Sequence, residues 1–257
     1  GLNPEEYRSM AALEGVQWWY AGMRRIARSL LDPLLPPSDA SRRRLLDAGC
    51  GTGWNLQALS VFGETHGVDL SPLAVATTRE RGGRVTQGNL LSLPYASGSF
   101  DAVTSFDVIY HAWVKDDAQA VGELERARLP AGDLARVLNP GGVLLLKAPA
   151  LKILWGAHDE AVHSRHRYTR AEMESLVQGA GLQLVRSTYA NSLLFPVLLT
   201  RRFLDRALNR HGSDVALLPP LMEKAFGALL TTEAALLRVI NLPVGASVFA
   251  IARKPGA

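Results

Sequence analysis

Residues 47–53 read D-x-G-x-G-x-G and form the densest candidate for chemistry in this sequence. They lie between a short apolar run and a pattern that is typical of a helix. Glycines at such a junction permit positive φ angles and let a ligand approach the backbone closely. The N–H groups at the start of the following helix can bind a carboxylate or a phosphate. The stretch therefore predicts a ligand-binding loop between a strand and a helix.

The spacing of these glycines argues against a dinucleotide. A dinucleotide fingerprint needs G-x-G-x-x-G, which counted from Gly49 demands a glycine where the chain has Trp54. A phosphate loop is supported even less, because no Gly-Lys-Ser/Thr follows. Asp69 ends a second apolar run, and a carboxylate at that place can accept two hydrogen bonds from a ribose diol. The loop and Asp69 together favour a nucleoside ligand.

A second polar cluster lies in residues 155–170, directly after another apolar run, and holds three of the six histidines. The carboxyl end of a strand is where ligands bind in open α/β sheets. His158 and His163 are candidate bases there, and their spacing of five residues predicts no metal site. The candidate substrate ligands of this cluster are Arg165, His166, Arg167 and Tyr168. The alternative is a structural role, in which Arg and Asp tie the loop to the amino-terminal helix.

Strand and helix patterns alternate regularly from Arg44 onward, which predicts a parallel sheet with right-handed crossovers. The strand patterns cover residues 44–49, 65–70, 83–90, 100–110, 143–149, 182–190 and 247–254. The helix patterns cover residues 4–31, 54–62, 71–82, 116–138 and 168–181, and residues 192–243 look mostly helical.

Local signals mark where several of these elements begin. Ser71 followed by Pro72 predicts a helix start, and Thr169 with Glu172 forms a capping-box pattern. Residues 139–142, N-P-G-G, predict a turn before the fifth strand. In the last helical segment, one apolar face collects Met222, Phe226, Leu229, Leu230, Leu236 and Leu237.

Composition and charge are those of an ordinary globular protein, with 257 residues, 47% hydrophobic and 20% charged. The single cysteine, Cys50, excludes an internal disulfide and suits a reducing compartment, so we expect a cytoplasmic protein. Residues 1–30 interleave apolar residues with Arg and Glu, unlike a signal peptide. The longest uncharged runs, at 187–200 and 239–252, are too short to span a membrane. The sequence contains no lysine-rich run with interleaved aromatic residues, so we expect no nucleic-acid binding.

Four stretches, in order over residues 44–149, resemble the motifs of the class I S-adenosylmethionine-dependent methyltransferases. They are LLDAGCGTG, GVDLSPLAV, QGNLLSLPYASGSFDAVTSFDVIYH and LARVLNPGGVLLLKAP. The resemblance implies an α/β fold with a Rossmann-like seven-stranded sheet, helices on both faces and an antiparallel final strand. On this basis we expect an amino-terminal helical lid (1–40), a cofactor-binding core (41–191), a helical cap insertion (192–243), and the last strand with the tail (244–257).

The resemblance also implies a cofactor site for S-adenosylmethionine. Gly49, Gly51 and Gly53 would lie under the amino-acid end of the cofactor, and Asp69 would hold the ribose. Leu70 would pack near the adenine, and Phe106 would begin the wall after the fourth strand. The predicted site also includes Asp47, Asn89 and Leu90. Asn89 stands where the family usually has Asp, so it can accept a hydrogen bond from the adenine amino group but lacks the charge.

Methyl transfer from a sulfonium is an in-line displacement, for which an enzyme chiefly positions the nucleophile and excludes water. In the layout of the family, a side chain after the fourth strand lies near the transferred methyl, which makes His111 a candidate base and Tyr110 a candidate substrate ligand. The aromatic cluster of Trp18, Trp19 and Tyr20 lies on the amino-terminal helix, which in this family commonly covers the pocket. The alternative interpretation of the cluster is core packing.

Three functions follow from these expectations. The first is methyl transfer to a small, partly apolar acceptor, as O-methylation in secondary metabolism. The second is C- or O-methylation of an anionic lipid-like acceptor, such as a prenyl diphosphate, with the Arg/His cluster on the head group. In that case residues 192–243 would cover the tail or rest on a membrane surface. The third is a catalytically silent, cofactor-binding partner subunit.

Overall fold

The computed structural model describes residues 11–36, 41–110, 130–208 and 218–256, and its strands form one seven-stranded sheet. The strands are β1 (Arg44–Ala48), β2 (Glu64–Asp69), β3 (Val85–Gln87), β4 (Phe100–Phe106), β5 (Leu138–Pro149), β6 (Gln183–Ala190) and β7 (Ser247–Arg253). Their order in the sheet is β3-β2-β1-β4-β5-β7-β6. The first five strands are parallel, and β7 runs antiparallel to β5 and β6. The predicted sheet with an antiparallel final strand is confirmed.

Helices cover both faces of the sheet. They are α1 (Trp18–Leu31), α2 (Trp54–Leu59), α3 (Pro72–Glu80), α4 (Pro130–Val137), α5 (Ala157–Ala161), α6 (Arg170–Gly179), α7 (Phe195–Ala207) and α8 (Pro220–Leu236). The helix predicted over 116–138 is described only from Pro130 onward. None of the helices in the described part of the chain is long and apolar enough to cross a membrane.

The predicted helix-start signals are confirmed. The Ser71 hydroxyl accepts a hydrogen bond from the Ala74 N–H, and proline occupies the first turn of α3. Thr169 and Glu172 form a complete capping box at the start of α6. Both devices satisfy backbone N–H groups that have no partner inside the helix, so local sequence is enough to place these two helix starts.

The core consists of two apolar layers on opposite faces of the sheet, because successive residues of a strand point to opposite sides. On one face, Leu45, Leu145 and Phe249 pack with residues of α1 and α8. On the other face, Leu46 and Leu144 pack with residues of α4 and α6. The carboxyl ends of β1, β2, β4 and β5 emerge together at one edge between these layers, and this edge carries the predicted site.

The amino-terminal helix and the last helix of the insertion pack against each other. At Gly22 on α1, an added Cβ would lie 2.2 Å from Leu230 Cδ1, so the two backbones approach closely there. Trp18 and Phe226 make an edge-on ring contact with centroids 5.1 Å apart. Both helices contribute fully buried residues to one core layer, whereas α7 contributes none. Helix α1 of the predicted lid and helix α8 of the predicted cap therefore belong to the layer that covers one face of the sheet.

Three details differ from the sequence predictions. Residues 139–142 do not form a turn ahead of the fifth strand but lie within β5, where the pairing shifts between Phe100 and Ala102. Strand β4 ends at Phe106, since Asp107 has a φ of 58° and leaves the extended conformation. On α8, Met222 and Leu229 are exposed, so the predicted apolar face is wrong at these two residues.

Candidate functional site

The predicted glycine loop joins β1 to α2. At Gly49 and Gly53 it has no room for a side chain. Gly49, Gly51 and Gly53 all have positive φ, of 82°, 54° and 86°. A Cβ on Gly49 would lie 2.2 Å from Val108 Cγ2, and a Cβ on Gly53 would lie 2.9 Å from Thr78. The loop is therefore tightly packed at these two glycines, and a larger residue at either position would collide with Val108 or Thr78.

Asp69 at the end of β2 holds the loop in place. Its carboxylate accepts a hydrogen bond from the Gly51 N–H at 2.9 Å and another from the Ser71 N–H at 2.9 Å. The residue is 8% exposed. Each carboxylate oxygen can accept more than one hydrogen bond. An Asp69 oriented in this way suits the ribose diol that the sequence predicted for it.

Asp47, under the same loop, carries a buried carboxylate. One oxygen accepts a hydrogen bond from the Thr104 hydroxyl at 2.6 Å, and the other has no well-aligned donor among the described residues, although the Asn55 side chain lies near the carboxylate and lowers its pKa. Burial raises the pKa of Asp47 to about 7. A buried carboxylate oxygen is stabilised by a hydrogen-bond donor, and the ammonium group of an amino-acid tail is one. The loop with Asp47 and Asp69 thus fits a nucleoside that carries such a tail.

The residues predicted around the adenine are placed less uniformly. Leu70 is 43% exposed at the end of β2, whereas Leu90 is buried in the core. The Asn89 carboxamide oxygen accepts a hydrogen bond from the Leu91 N–H at 3.0 Å, so the oxygen expected to face the adenine already closes a turn. Phe106 is half-buried and packs edge-on against Phe249, with ring centroids 6.4 Å apart.

A segment before α1 contacts the glycine loop, which the sequence did not predict. The Glu14 carboxylate accepts a hydrogen bond from the Thr52 hydroxyl. Arg81 donates to the Thr52 carbonyl at 2.9 Å and lies over the Trp54 ring, and Arg24 lies over the same ring. Trp54, whose type excludes a dinucleotide motif, therefore packs against side chains that hold the amino-terminal segment on the loop.

The carboxyl ends of β4 and β5 carry an ion pair that sequence reasoning missed. Lys147, the only charged residue of β5, pairs with Asp107, which directly follows β4. The Lys147 ammonium also lies 4.2 Å from the centre of the Trp19 ring. The signal that could have found this pair is a single lysine inside an otherwise apolar strand, since a buried charge requires a partner.

The aromatic cluster on α1 divides between packing and the site edge. Trp18 packs against Phe226, and its backbone N–H donates to a Glu223 carboxylate oxygen at 2.9 Å. Trp19 covers Lys147, and Tyr20 contacts the Trp19 ring edge-on at 5.0 Å. The structure thus brings Trp19 and Tyr20, rather than Trp18, to the ends of β4 and β5.

The polar cluster of residues 155–170 is largely held by contacts within the protein. Arg167 forms a two-point ion pair with Asp159, at 2.8 and 3.1 Å, and donates to the Ala150 carbonyl at 3.0 Å. Both charged side chains are buried. The Arg165 backbone N–H donates to the Tyr110 carbonyl at 2.9 Å. The cluster ties the exit of β5 to the segment after β4.

The predicted bases are placed as follows. His163 is exposed, with a φ of 53°. His158 lies in α5 with a side chain outside the described atoms, and His111 lies outside the described residues. His166 contacts the Glu172 carboxylate at 3.1 Å and packs on Tyr168, whose N–H donates to the Pro149 carbonyl. Within the described ranges, no group of His, Cys, Asp and Glu side chains could hold a metal ion.

Comparison with known sequences points to one family. The family model described as "Methyltransferase domain" matches residues 46–146. A malonyl-acyl-carrier-protein O-methyltransferase from Enterobacter lignolyticus is 30% identical over 207 residues, which are 75% of this chain and 78% of that protein. A probable S-adenosylmethionine-dependent methyltransferase from Mycolicibacterium smegmatis is 34% identical over 147 residues, 55% of this chain. The chain spans about half the length of the mycobacterial protein, 52%.

Comparison with solved structures supports the same fold. A putative methyltransferase from Haloferax volcanii, in complex with the Trm112 methyltransferase activator, superimposes with a TM-score of 0.59 at 18% identity, covering 98% of this chain and 95% of that chain. A geranyl diphosphate C-methyltransferase from Streptomyces coelicolor gives a TM-score of 0.55 at 17% identity, covering 89% and 80%. At such identities the likeness concerns the fold.

Proposed function

Because the chain belongs to the class I S-adenosylmethionine-dependent methyltransferases, we propose that it methylates a small, partly apolar acceptor, as an O-methylation in secondary metabolism. The cofactor of the family is S-adenosylmethionine. The observation that supports this acceptor is the pair of aromatic side chains, Trp19 and Tyr20, beside Asp107 at the ends of β4 and β5. Aromatic rings at a site edge bind apolar groups and exclude water.

Different residues at this edge of the sheet would bind the cofactor and the acceptor. Bound S-adenosylmethionine supplies an activated methyl group on a sulfonium. Gly49 and its neighbours would hold the amino-acid end of the cofactor, and Asp69 would hold the ribose. Trp19 and Tyr20 orient the acceptor and keep water away, so that the attacking atom lies in line with the methyl group.

Binding calorimetry with S-adenosylhomocysteine tests the cofactor site. We expect Asp69→Ala to weaken binding by about a hundredfold or more, because it removes both the ribose contact and the carboxylate that holds Gly51. The matched control is Asp101→Ala, which removes a strand-end carboxylate that bonds Arg44 and Asn139 away from the loop. If the unmodified protein binds neither S-adenosylmethionine nor S-adenosylhomocysteine, the proposed function is wrong.

An anionic lipid-like acceptor is the second candidate, and the outer face of α7 favours it. Val197, Leu204 and Leu208 are exposed on that face, and Arg201 lies beside them. The head-group part of this candidate has weaker support, because Arg167 is engaged with Asp159 and the Ala150 carbonyl. Co-sedimentation with vesicles of anionic and of neutral lipid separates the two candidates, since only the lipid-like one requires binding to the anionic vesicles.

A cofactor-binding partner subunit is the third candidate. Its support is the structural likeness to the Haloferax volcanii protein, which was solved in complex with a methyltransferase activator. Cofactor binding without turnover on phenol, amine and carboxylic-acid acceptors, and turnover once a partner chain is added, would favour this candidate over the first.

A further inference from the structure

The ion pair between Asp107 and Lys147 has a defined orientation at the edge of the sheet. The Lys147 side chain is 4% exposed and the Asp107 side chain 29% exposed. The ammonium group therefore lies in the interior and the carboxylate lies toward the surface of the edge. A pair of this kind acts as a dipole whose negative end faces outward.

Several contacts keep the pair in this orientation. The Trp19 ring lies over the Lys147 ammonium, which places an aromatic face and a carboxylate around the charge. The Asp107 N–H donates to the Lys147 carbonyl at 3.0 Å, so the two residues are also joined through their backbones. Asp107 has a φ of 58°, a conformation that Asp and Asn adopt more readily than most residues. Lys147 cannot turn outward without losing both partners.

The outward carboxylate lies next to the glycine loop. Val108, the residue after Asp107, packs so closely on Gly49 that a Cβ there would come within 2.2 Å of the valine. Gly49 belongs to the part of the loop assigned to the amino-acid end of the cofactor. In S-adenosylmethionine the sulfonium joins that end to the ribose. Asp107 is therefore one residue away from a direct contact with the loop that would hold this part of the cofactor.

The Asp107 carboxylate lies close enough to two buried phenols to affect their pKa values. Burial raises the pKa of Tyr20, and the charges of Glu14 and Asp107 raise it further. Burial likewise raises the pKa of Tyr110 well above its usual value, with Asp107 and Asp159 as further causes. Arg24 and Arg167 act on the two phenols in the opposite direction, but both phenols respond to the same carboxylate, and a carboxylate attracts a cation placed beside it.

We propose that Asp107, positioned by Lys147, is the carboxylate that offsets the positive charge of the cofactor sulfonium, so that the site binds charged S-adenosylmethionine in preference to neutral S-adenosylhomocysteine. The inference rests on the proposed function. Methyl transfer removes the charge from sulfur, so the product loses this attraction and leaves more readily. Lys147 is a positioning residue, since its ammonium group holds the carboxylate in place without facing the ligand.

Calorimetry with both cofactor forms tests the proposal without any acceptor. We expect Asp107→Asn, which keeps the size and the backbone preference of the residue, to weaken S-adenosylmethionine binding about tenfold. The variant leaves S-adenosylhomocysteine binding within about twofold, because the neutral sulfide gains little from a carboxylate. Asp205→Asn, which removes a half-buried carboxylate on α7 that pairs with Arg201, is the matched control and leaves both affinities unchanged.

A second variant predicts a shift of the opposite sign. Lys147→Met leaves the Asp107 carboxylate without its counter-charge, so the preference for S-adenosylmethionine over S-adenosylhomocysteine should rise several-fold. Lys147→Arg keeps the positive charge and should keep the ratio of the unmodified protein. A merely structural role for the pair would change both affinities together and leave the ratio unchanged.

The outcomes distinguish this inference from the proposed function. If the unmodified protein binds both cofactor forms and neither substitution changes their ratio, the inference is wrong and the cofactor assignment stands. If the unmodified protein binds neither form, the proposed function itself fails. Should Asp107→Asn not fold, as judged by its melting temperature, the sign of the shift in Lys147→Met decides the question.

Discussion

The ends of β1 and β2 and the ends of β4 and β5 lie on one edge of the sheet, yet they are assembled differently. At the first pair, Gly51 and Asp69 are 18 residues apart and joined by one hydrogen bond. At the second pair, Asp107 and Lys147 are 40 residues apart, and Trp19 comes from the other end of the chain. A site built from near neighbours leaves a motif in the sequence, whereas a site built from distant segments does not.

The largest effect should follow from breaking the buried ion pair on the β5 side. Arg167→Met leaves the buried Asp159 carboxylate without its partner, which typically destabilises a protein by about 3–5 kcal/mol. Chemical denaturation measures the loss. Arg170→Met, which removes a half-exposed arginine of the same segment, should change the free energy of unfolding by less than about 0.5 kcal/mol.

The same substitution also tests whether Arg167 serves the fold or binds an acceptor. If Arg167 serves the fold, the folded Arg167→Met variant still binds S-adenosylhomocysteine with its original affinity, because Arg167 bonds Asp159 and the Ala150 carbonyl rather than the glycine loop. An unchanged stability with weakened acceptor binding would instead restore the anion-binding role that the sequence predicted for Arg167.

A smaller loss is expected where α1 crosses α8. Gly22→Ala places a Cβ 2.2 Å from Leu230 Cδ1 and 2.7 Å from Leu230 Cβ. Leu230 is fully buried and cannot move aside, so overpacking should cost about 1–3 kcal/mol. Thermal unfolding measures the change. The double variant Gly22→Ala/Leu230→Ala should show less destabilisation than the sum of the two single variants.

The control for this contact lies on the partner helix. Among the described residues, a Cβ on Gly227 would meet Trp18 Cβ alone, at 3.8 Å, which is an ordinary contact. Gly227→Ala should therefore stabilise the protein by up to about 1 kcal/mol through helix propensity. Equal effects of the two alanines would show that the crossing at Gly22 is not close-packed.

The smallest predicted effect concerns Asp47 on the cofactor side and depends on pH. Burial raises the pKa of Asp47 to about 7, so the folded protein holds this proton more tightly than the unfolded chain. The resulting stability is present below about pH 4, the ordinary pKa of Asp, and is lost as the pH rises through about 7. Asp47→Asn should remove this dependence and melt a few degrees higher than the unmodified protein at pH 8.

Melting temperatures measured between pH 4 and pH 8 test this prediction. Asp32→Asn, which alters a half-buried carboxylate paired with Arg28 and Arg238, provides the control for a general charge effect. A constant difference between Asp47→Asn and the unmodified protein over this pH range would contradict a buried, proton-binding carboxylate at Asp47.

The features that could be predicted from the sequence are those that depend on residues close together in the chain. The positive φ angles of Gly49, Gly51 and Gly53 and the capping box at Thr169 follow from neighbours a few residues apart. Sequence reasoning was less successful on α8, where the apolar pattern predicted Met222 and Leu229 inside. There the buried face includes Glu233, because its carboxylate accepts hydrogen bonds from three successive N–H groups at residues 191–193.

The polar cluster of residues 155–170 shows why residue type alone was an uncertain guide to role. Its arginines and histidines predicted acceptor ligands, with a structural tie as the alternative. The structure gives Arg167 and His166 carboxylate partners within the protein, Asp159 and Glu172. The type of a charged residue is the same whether it pairs with a ligand or with another side chain. Only the geometry of the folded protein separates the two cases.

The sequence by itself determined the strand-loop-helix motif, the carboxylate at the end of β2 and the alternation of strands and helices along the chain, because each depends on short-range backbone and capping preferences. Only the tertiary structure decided that α1 packs on α8, that Trp54 is held between Arg24 and Arg81, and that Asp107 meets Lys147 under Trp19. Those contacts join segments far apart in the chain. Their formation depends on how the sheet brings its strand ends together, which no local pattern records.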